Sequence, residues 1–285
     1  MVKPEGSESV ATTGRWLSVE LPNPLSPRPE ISHVLFDFDG TISLIRQGWP
    51  EVMVPMFVEL IPRLPDESEA DVERLVLDDV MRLNGKQTIY QMIQLADRIE
   101  ERGGRPLDPL LYKHEYLRRL DDRIGARTAG LARGDQSADA WLVHGVRPLL
   151  EHCLRVGLTL TLASGTDEAA VRREADLLDV SKYFGSIQGA RDDYKSFSKK
   201  MVIDRILSEP GMTGRQLLSF GDGYVEIENT KQVGGLAVAV ASDEARNGSG
   251  WVDPWKRRRL LGVGADAVIP DYRDAIAFVD YLLGR

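Results

Sequence analysis

Val34-Leu35-Phe36-Asp37-Phe38-Asp39-Gly40-Thr41 is the stretch that decides the fold of this chain. Three apolar residues lead into two aspartates one residue apart, followed by glycine and threonine. The apolar run predicts a buried strand, and the carboxylates lie where such a strand would end. Because burying two unpaired carboxylates would cost several kcal/mol, the pair predicts a compensating charge. A hard divalent cation is the simplest one, since it binds carboxylate and carbonyl oxygens.

Five further apolar runs predict strands, and amphipathic stretches predict helices between most of them. The predicted strands are residues 34–37, 158–163, 186–188, 217–221, 236–241 and 267–269, and the clearest predicted helices are 168–178, 199–207 and 274–283. Strands that alternate with helices predict an α/β fold with a mostly parallel, Rossmann-like sheet. Asp37, Ser164 and Asp222 fall at or just past strand ends, so we expect them in one crevice.

The region between the first two predicted strands has a different pattern. From about residue 49 to residue 140, apolar residues recur at helical spacing, as in Met56-Phe57 with Leu60-Ile61, and no strand pattern interrupts them. Glycines such as Gly103 and Gly104 supply breaks between helices. The region therefore predicts a helical insertion.

The stretch from His33 to Thr41 resembles the first motif, D-x-D-G-T, of the haloacid dehalogenase-like (HAD) superfamily. Three later segments match the remaining motifs in order: Ser164 after an apolar run, Lys199 in Ser-Lys-Lys-Met, and Gly221-Asp222 after another apolar run. The resemblance covers nearly all of the chain after residue 31 except the middle region, where that family varies. It implies a phosphatase-type hydrolase with a helical cap inserted after the first motif.

The resemblance and the residue pattern together predict a domain organisation. We expect an N-terminal tail or loose strap at residues 1–30, an α/β core from residues 31–48 and 142–285, and a helical cap from residues 49–141. The first thirty residues are rich in proline and carry no apolar core segment, so we expect neither a signal peptide nor a domain there.

By the same resemblance, Asp37 attacks phosphorus to form an aspartyl phosphate, while Asp39 protonates the leaving oxygen and later deprotonates water. In an extended segment their side chains point to the same side, so both can face one cleft. The implied cofactor is Mg²⁺, and its implied partners are the carboxylates of Asp37 and Asp222, the carbonyl of Asp39, and Glu226 in the outer shell. Family members more often have aspartate at the position of Glu226, which leaves its contact with the metal open.

The predicted phosphate site combines the hydroxyl of Ser164, the backbone N–H groups of Gly40 and Phe38, and a lysine. Thr41 is a further candidate, although a role in bonding the turn would also suit it. Lys199 is the choice among nearby lysines because, if Ser198 caps the helix, Lys199 shares a face with the apolar residues that follow it. Lys195, in the preceding loop, is the second choice.

The substrate prediction rests on fewer residues. The resemblance implies that Asp39, the second aspartate of the motif, favours phosphate esters over dehalogenation or phosphonate cleavage, so we expect a small phosphorylated metabolite such as a sugar phosphate. Arg46, Lys86 and Thr88 are the candidate cap contacts, although hinge and helix-capping roles would also suit them. A phosphomutase of the same superfamily, or a binding or regulatory protein that has lost turnover, remains open.

Composition sets limits on other functions. Among the 285 residues, a formal net charge of −8 argues against a nucleic-acid partner, and no apolar run is long enough to span a bilayer, so we expect a cytoplasmic protein that binds no membrane. The basic run at residues 256–259 is interpreted as the solvated face of a helix, and the single cysteine, Cys153, as a buried helix residue.

Overall fold

A computed structural model describes residues 17–285 of the chain. Six parallel strands form one sheet in the order β3-β2-β1-β4-β5-β6. The strands are β1 (His33–Phe36), β2 (Thr159–Asp167), β3 (Ser186–Ala190), β4 (Leu217–Gly221), β5 (Leu236–Val240) and β6 (Ala267–Ile269). The chain runs outward from β1 to one edge and then from β4 to the other. The order therefore changes direction between β1 and β4, where ligands of such sheets bind.

The alternating side chains of β1 show how the sheet is covered. Val34 and Phe36 join the larger apolar core on one face, whereas Leu35 packs with Val202 and Ile203 on the other face. Val34, Leu35 and Phe36 are all fully buried, which explains the continuous apolar run in this strand. The helices of this part of the chain are α5 (Val146–Arg155), α6 (Glu168–Leu177), α7 (Lys199–Leu207), α8 (Tyr224–Gln232), α9 (Pro254–Gly262) and α10 (Ala275–Leu282).

A helical insertion lies between β1 and α5, as the apolar spacing predicts. Its helices are α1 (Pro50–Leu60), α2 (Glu69–Arg82), α3 (Thr88–Glu101) and α4 (Pro109–Arg133). A capping box between Ser68 and Asp71 starts α2, and Gly134 in the left-handed region ends α4. The structure therefore has an α/β, Rossmann-like sheet with a helical cap.

The largest difference from the predicted elements is in β2. The predicted strand ends at residue 163, but the observed strand continues to Asp167, with a register shift against β3 after Ala163. The extra residues bulge out of the ladder, so Ser164, Gly165 and Thr166 are turned towards the crevice while the strand continues.

Residues 17–30 lie along the core. Val19 is buried, Glu20 forms an antiparallel bridge with Val268 of β6, and the amide of Arg28 donates to the carbonyl of Leu282. The segment thus covers the edge strand of the sheet in the manner of a strap. The other part of the expected tail, residues 1–16, lies outside the described residues.

No helix within residues 17–285 is both long and apolar enough to cross a lipid bilayer. Cys153 is buried on α5, as expected, and burial raises the pKa of its thiol to about 12. A thiol of that pKa is a packing group and not a nucleophile.

Candidate active site

Asp37 directly follows β1, and hydrogen bonds to its backbone and side chain fix its position. Its amide donates to the carbonyl of Phe220 on β4 at 3.0 Å, and its Oδ1 accepts from the amide of Phe38 at 2.8 Å. The ammonium nitrogen of Lys199 lies 2.9 Å from the same oxygen. Burial raises the pKa of Asp37 well above its usual range, although the charge of Lys199 opposes that shift. The carboxylate is therefore held in one position beside a cation.

The turn after Asp37 depends on a glycine. Gly40 has a φ of +70°, and a Cβ built on it would lie 2.2 Å from Oδ2 of Asp222. A side chain at this position would therefore be strained and would also displace Asp222. The absence of a Cβ lets the turn approach the loop after β4.

Thr41, predicted to help bind phosphate, lies elsewhere. Its side chain is fully buried, and its hydroxyl accepts a hydrogen bond from the amide of Asp222 at 3.0 Å. Tyr272 donates to its carbonyl oxygen from behind the loop, also at 3.0 Å. The hydroxyl thus joins the turn to the loop after β4, which is the alternative role that the sequence left open for Thr41.

Three buried carboxylates converge at the carboxyl ends of β1 and β4. Asp37, Asp222 and Glu226 each offer an oxygen within 4.8 Å of the others. Glu226 is used for other contacts as well, since Oε1 accepts from the amide of Gly223 at 2.7 Å and Oε2 from Lys199 at 2.7 Å. Three clustered carboxylate oxygens are a donor set that suits a hard cation such as Mg²⁺.

Of the lysines considered for the phosphate site, Lys199 is the one that reaches this cluster. Ser198 caps α7 by accepting from the amide of Met201, and the next residue, Lys199, turns inward with a side chain that is only 3% exposed. Lys195 is exposed, with its ammonium near the ring of Tyr194. Burial disfavours the charged form of Lys199, but Asp37 and Glu226 outweigh burial and raise its pKa. Lys199 is therefore a permanent cation of the site.

Asp39 faces the same cleft from the other side of the turn. Thr166 donates its hydroxyl to Oδ2 of Asp39 at 2.7 Å, and the hydroxyl of Ser164 lies 3.5 Å from that oxygen. Oδ1 accepts no hydrogen bond among the described residues. Burial raises the pKa of Asp39 to about 6, while the charge of Arg46 acts in the opposite direction. A carboxyl group with this pKa can both donate and accept a proton near neutrality.

Arg46, predicted to contact the substrate, is occupied within the protein. Its guanidinium makes hydrogen bonds of 2.8–3.2 Å to both carboxylate oxygens of Glu174, whose side chain is completely buried on α6. Its Nε lies 3.8 Å from Oδ1 of Asp39. Arg46 also lines the cleft, where it is a buried counter-ion for Glu174 and Asp39, and its contact with the substrate stays a prediction.

The interpretation of residues 256–259 as a solvated face is wrong for two of the four residues. Lys256 is buried, and its ammonium lies 3.0 Å from Oδ2 of Asp222 and 2.7 Å from Oε1 of Glu244. Arg259 is partly buried between the rings of Tyr224 and Trp255. The remaining two, Arg257 and Arg258, are exposed as predicted.

The cap forms the other wall of the cleft. Lys86 and Thr88, both predicted as substrate contacts, line it, and Lys86 is exposed with its ammonium 5.5 Å from the centre of the Tyr90 ring. Further wall residues from the insertion and the segment leading into it are Gln47, Trp49, Asn84, Gln91 and Tyr116. Amide, hydroxyl and aromatic groups thus surround the space in front of Asp37 and Asp39.

The loop between α2 and α3 is packed directly on the core. A Cβ on Gly85 would lie 3.0 Å from Cα of Gly223, so the two backbones are in contact. Gln87 is buried and donates its side-chain amide to the carbonyls of Tyr194 and Phe197, at 3.0 and 2.7 Å. The cap loop is therefore held against the segment that leads into Lys199.

Sequence reasoning missed three charged residues of the site, although helical spacing carried a signal for two of them. Lys256 stands four residues before the buried Leu260, and Glu174 stands three residues after the buried Val171, which places each on an inward face. Glu244 lies in a short turn after β5 and has no comparable signal. For Lys256 and Glu174, a charged residue in line with the apolar residues of a helix was the sequence pattern that indicated a buried ion pair.

The sequence matches no protein-family model and no curated protein. Solved structures do resemble the fold over most of the chain. A HAD hydrolase of family IA, variant 3, from Entamoeba histolytica has a TM-score of 0.58 at 16% identity and covers 90% of this chain and 100% of its own. A haloacid dehalogenase-like hydrolase from Streptococcus pneumoniae has a TM-score of 0.55 at 17% identity, covering 88% and 99%. A haloacid dehalogenase-like protein from Agrobacterium tumefaciens has a TM-score of 0.56 at 15% identity, covering 87% and 97%. The chain therefore has the fold of the haloacid dehalogenase-like proteins.

Proposed function

We propose that this protein is a Mg²⁺-dependent phosphatase that hydrolyses a small phosphate monoester through an aspartyl phosphate on Asp37. The observation that carries the proposal is the grouping at one strand end: a nucleophile carboxylate beside Lys199, with Asp222 and Glu226 clustered around it. Packing alone does not require three buried carboxylates in one cluster. The similar structures described as hydrolases are consistent with this proposal.

In the first step, a carboxylate oxygen of Asp37 attacks phosphorus and the bond from phosphorus to the ester oxygen breaks. The leaving oxygen takes a proton from Asp39, which lies two residues on and faces the same cleft. The side chain of Asp39 is held by Thr166 and faced by Arg46, so its carboxyl group stays directed into the cleft. Lys199 offsets the negative charge around the phosphoryl group.

In the second step, Asp39, now ionised, takes a proton from water, and the water oxygen attacks phosphorus. The bond between Asp37 and phosphorus breaks and releases inorganic phosphate, which restores both carboxyl groups to their starting forms. The carboxylates of Asp37, Asp222 and Glu226 would hold Mg²⁺, together with the Asp39 carbonyl that the family resemblance implies. When bound, Mg²⁺ reduces the repulsion between the attacking carboxylate and the phosphate dianion.

The leaving group would contact the cap wall. Lys86, Thr88 and Gln91 offer an ammonium, a hydroxyl and an amide there, and Trp49 and Tyr116 add aromatic surfaces. Such a wall suits a small, hydroxylated ester such as a sugar phosphate, which can accept and donate several hydrogen bonds. We also propose that the partner is a small phosphorylated metabolite and that the protein acts in the cytoplasm.

A panel of phosphate monoesters, including p-nitrophenyl phosphate, tests this function. We expect phosphate release that requires Mg²⁺ and is abolished in Asp37→Asn. Asp204→Asn is the matched control, because Asp204 is exposed on α7 and pairs with Lys200 away from the cleft. Isomerised products without free phosphate would support a phosphomutase, and no turnover of any ester with Mg²⁺ would support a binding protein.

A further inference from the structure

Lys256 is a second buried cation at the carboxylate cluster. Its side chain is 9% exposed, and its ammonium lies 3.0 Å from Oδ2 of Asp222. It enters the cluster from α9. The two lysines therefore contact different carboxylates: Lys199 contacts Asp37 and Glu226, and Lys256 contacts Asp222.

The position of Lys256 is fixed by partners of its own. Oε1 of Glu244 lies 2.7 Å from the ammonium, and the hydroxyl of Ser242 lies 3.4 Å from it. Ser242 in turn donates to the carbonyl of Gly40 in the turn after Asp37 at 3.0 Å. Glu244 is 23% exposed at the side chain and lines the cleft. The ammonium of Lys256 is thus held between Asp222 of the carboxylate cluster and Glu244 at the wall of the cleft.

We propose that Lys256, positioned by Glu244, is a built-in counter-ion of the divalent-cation site and sets the affinity of that site for Mg²⁺. The proposal rests on the metal site proposed above but not on turnover. Lys256 neutralises Asp222 when the site holds no divalent ion, and its charge repels an arriving one. Glu244 offsets part of that repulsion. Lys256 is in this sense a positioning residue that acts through Asp222.

Lys256 and Glu244 should affect the affinity for Mg²⁺ in opposite directions. Lys256→Met removes a positive charge and should tighten Mg²⁺ binding by about tenfold or more. Glu244→Gln leaves Lys256 less compensated and should weaken binding by about tenfold. The double variant restores the charge balance, so the two opposite effects should cancel and Mg²⁺ should bind within a few-fold of the wild type.

Calorimetric titration with Mg²⁺ alone, without substrate, measures these affinities, and the rise in Tm on adding Mg²⁺ is a second readout. Arg258→Met is the matched control: it removes one positive charge from the same helix at an exposed position and should leave the affinity unchanged. If Lys256→Met is too unstable to titrate, Lys256→Gln removes the same charge with a polar side chain and should also tighten Mg²⁺ binding.

Opposite shifts in the two single variants, with recovery in the double variant, would support the proposal. Weaker binding in both single variants would overturn it, because loss of local structure has that sign in each. Mg²⁺ binding that no variant changes would also overturn it. A failure of this kind is separable from failure of the proposed function, since phosphate release by the wild type would be unaffected. Absence of Mg²⁺ binding in the wild type would overturn both.

Discussion

The ammonium nitrogen of Lys199 lies 2.9 Å from Oδ1 of Asp37, and both side chains are buried. Glu226 accepts a hydrogen bond from the same ammonium at 2.7 Å. Neither carboxylate would be stable as an ion at this depth without a cation nearby. The lysine thus offsets part of the cost of ionising the buried nucleophile, and it does so from a helix that begins next to the cleft.

Replacing Lys199 should therefore affect both activity and folding. We expect Lys199→Met to lower kcat by roughly 10²–10³, as for loss of one charged stabilising group. It should also lower the free energy of unfolding by about 3–5 kcal/mol, because two buried carboxylates lose their partner. Lys195→Met, at the exposed lysine in the preceding loop, is the control and should change neither quantity much. Steady-state kinetics and denaturant titration give both numbers, and a normal kcat for Lys199→Met would refute this role.

The pKa of Asp39 predicts a pH profile that depends on the leaving group. Burial raises this pKa to about 6, so the proton needed by the leaving oxygen is present below about pH 6 and lost above it. For an alkyl phosphate, kcat/KM should fall by about tenfold per pH unit on that alkaline side. For p-nitrophenyl phosphate the fall should be much smaller, because its leaving group departs without protonation. Identical profiles for the two esters would argue against Asp39 as the acid.

Gly40 should tolerate no side chain. In Gly40→Ala the added Cβ would lie 2.2 Å from Oδ2 of Asp222, and alanine would have to adopt a φ of +70°. We expect a loss of activity of at least about 100-fold. Gly103→Ala separates strain from the clash, since Gly103 has a φ of +75° and, within residues 17–285, no atom beyond its chain neighbours lies within 4 Å of the added Cβ. The control should cost about 1 kcal/mol of stability and leave kcat/KM unchanged. Wild-type activity in Gly40→Ala would show that the close approach is unimportant.

Arg259 should hold the cap loop near the core. Its guanidinium donates to the carbonyls of Met81, Arg82 and Asn84 at 2.7–2.9 Å. In Arg259→Met we expect faster hydrogen exchange of the amides at residues 83–88 and a rise in KM of roughly tenfold, with a smaller effect on kcat. Arg258→Met, at the exposed neighbouring residue, is the control and should leave the exchange rates and KM unchanged. Unchanged exchange at the loop would mean that other contacts hold it.

Much of the fold was predictable because the spacing of apolar residues along the chain indicates which side chains are buried. The buried apolar runs of β1 and β4 mark central strands, and their carboxyl ends locate Asp37 and Asp222. The extension of β2 to Asp167 was not predictable, since a bulge depends on the partner strand and not on local apolar spacing.

The charged partners of the site were harder to predict. Lys256 and Glu174 are far in sequence from the residues they contact, so only the fold brings Lys256 to Asp222 and Glu174 to Arg46. A run of basic residues is commonly solvated, which made the exposed interpretation of Lys256 the natural one. Arg46 was placed correctly at the cleft, but its engagement by a buried carboxylate depends on α6 packing beside it.

The most direct test of the central claim is to identify the phosphorylated residue. Enzyme mixed with Mg²⁺ and a substrate from the panel, quenched in acid and digested, should yield the peptide containing Asp37 heavier by the mass of one phosphoryl group. Tandem mass spectrometry should assign the added mass to Asp37, and Asp37→Asn should give none. A phosphoryl group on another residue, or hydrolysis that persists in Asp37→Asn, would contradict the account.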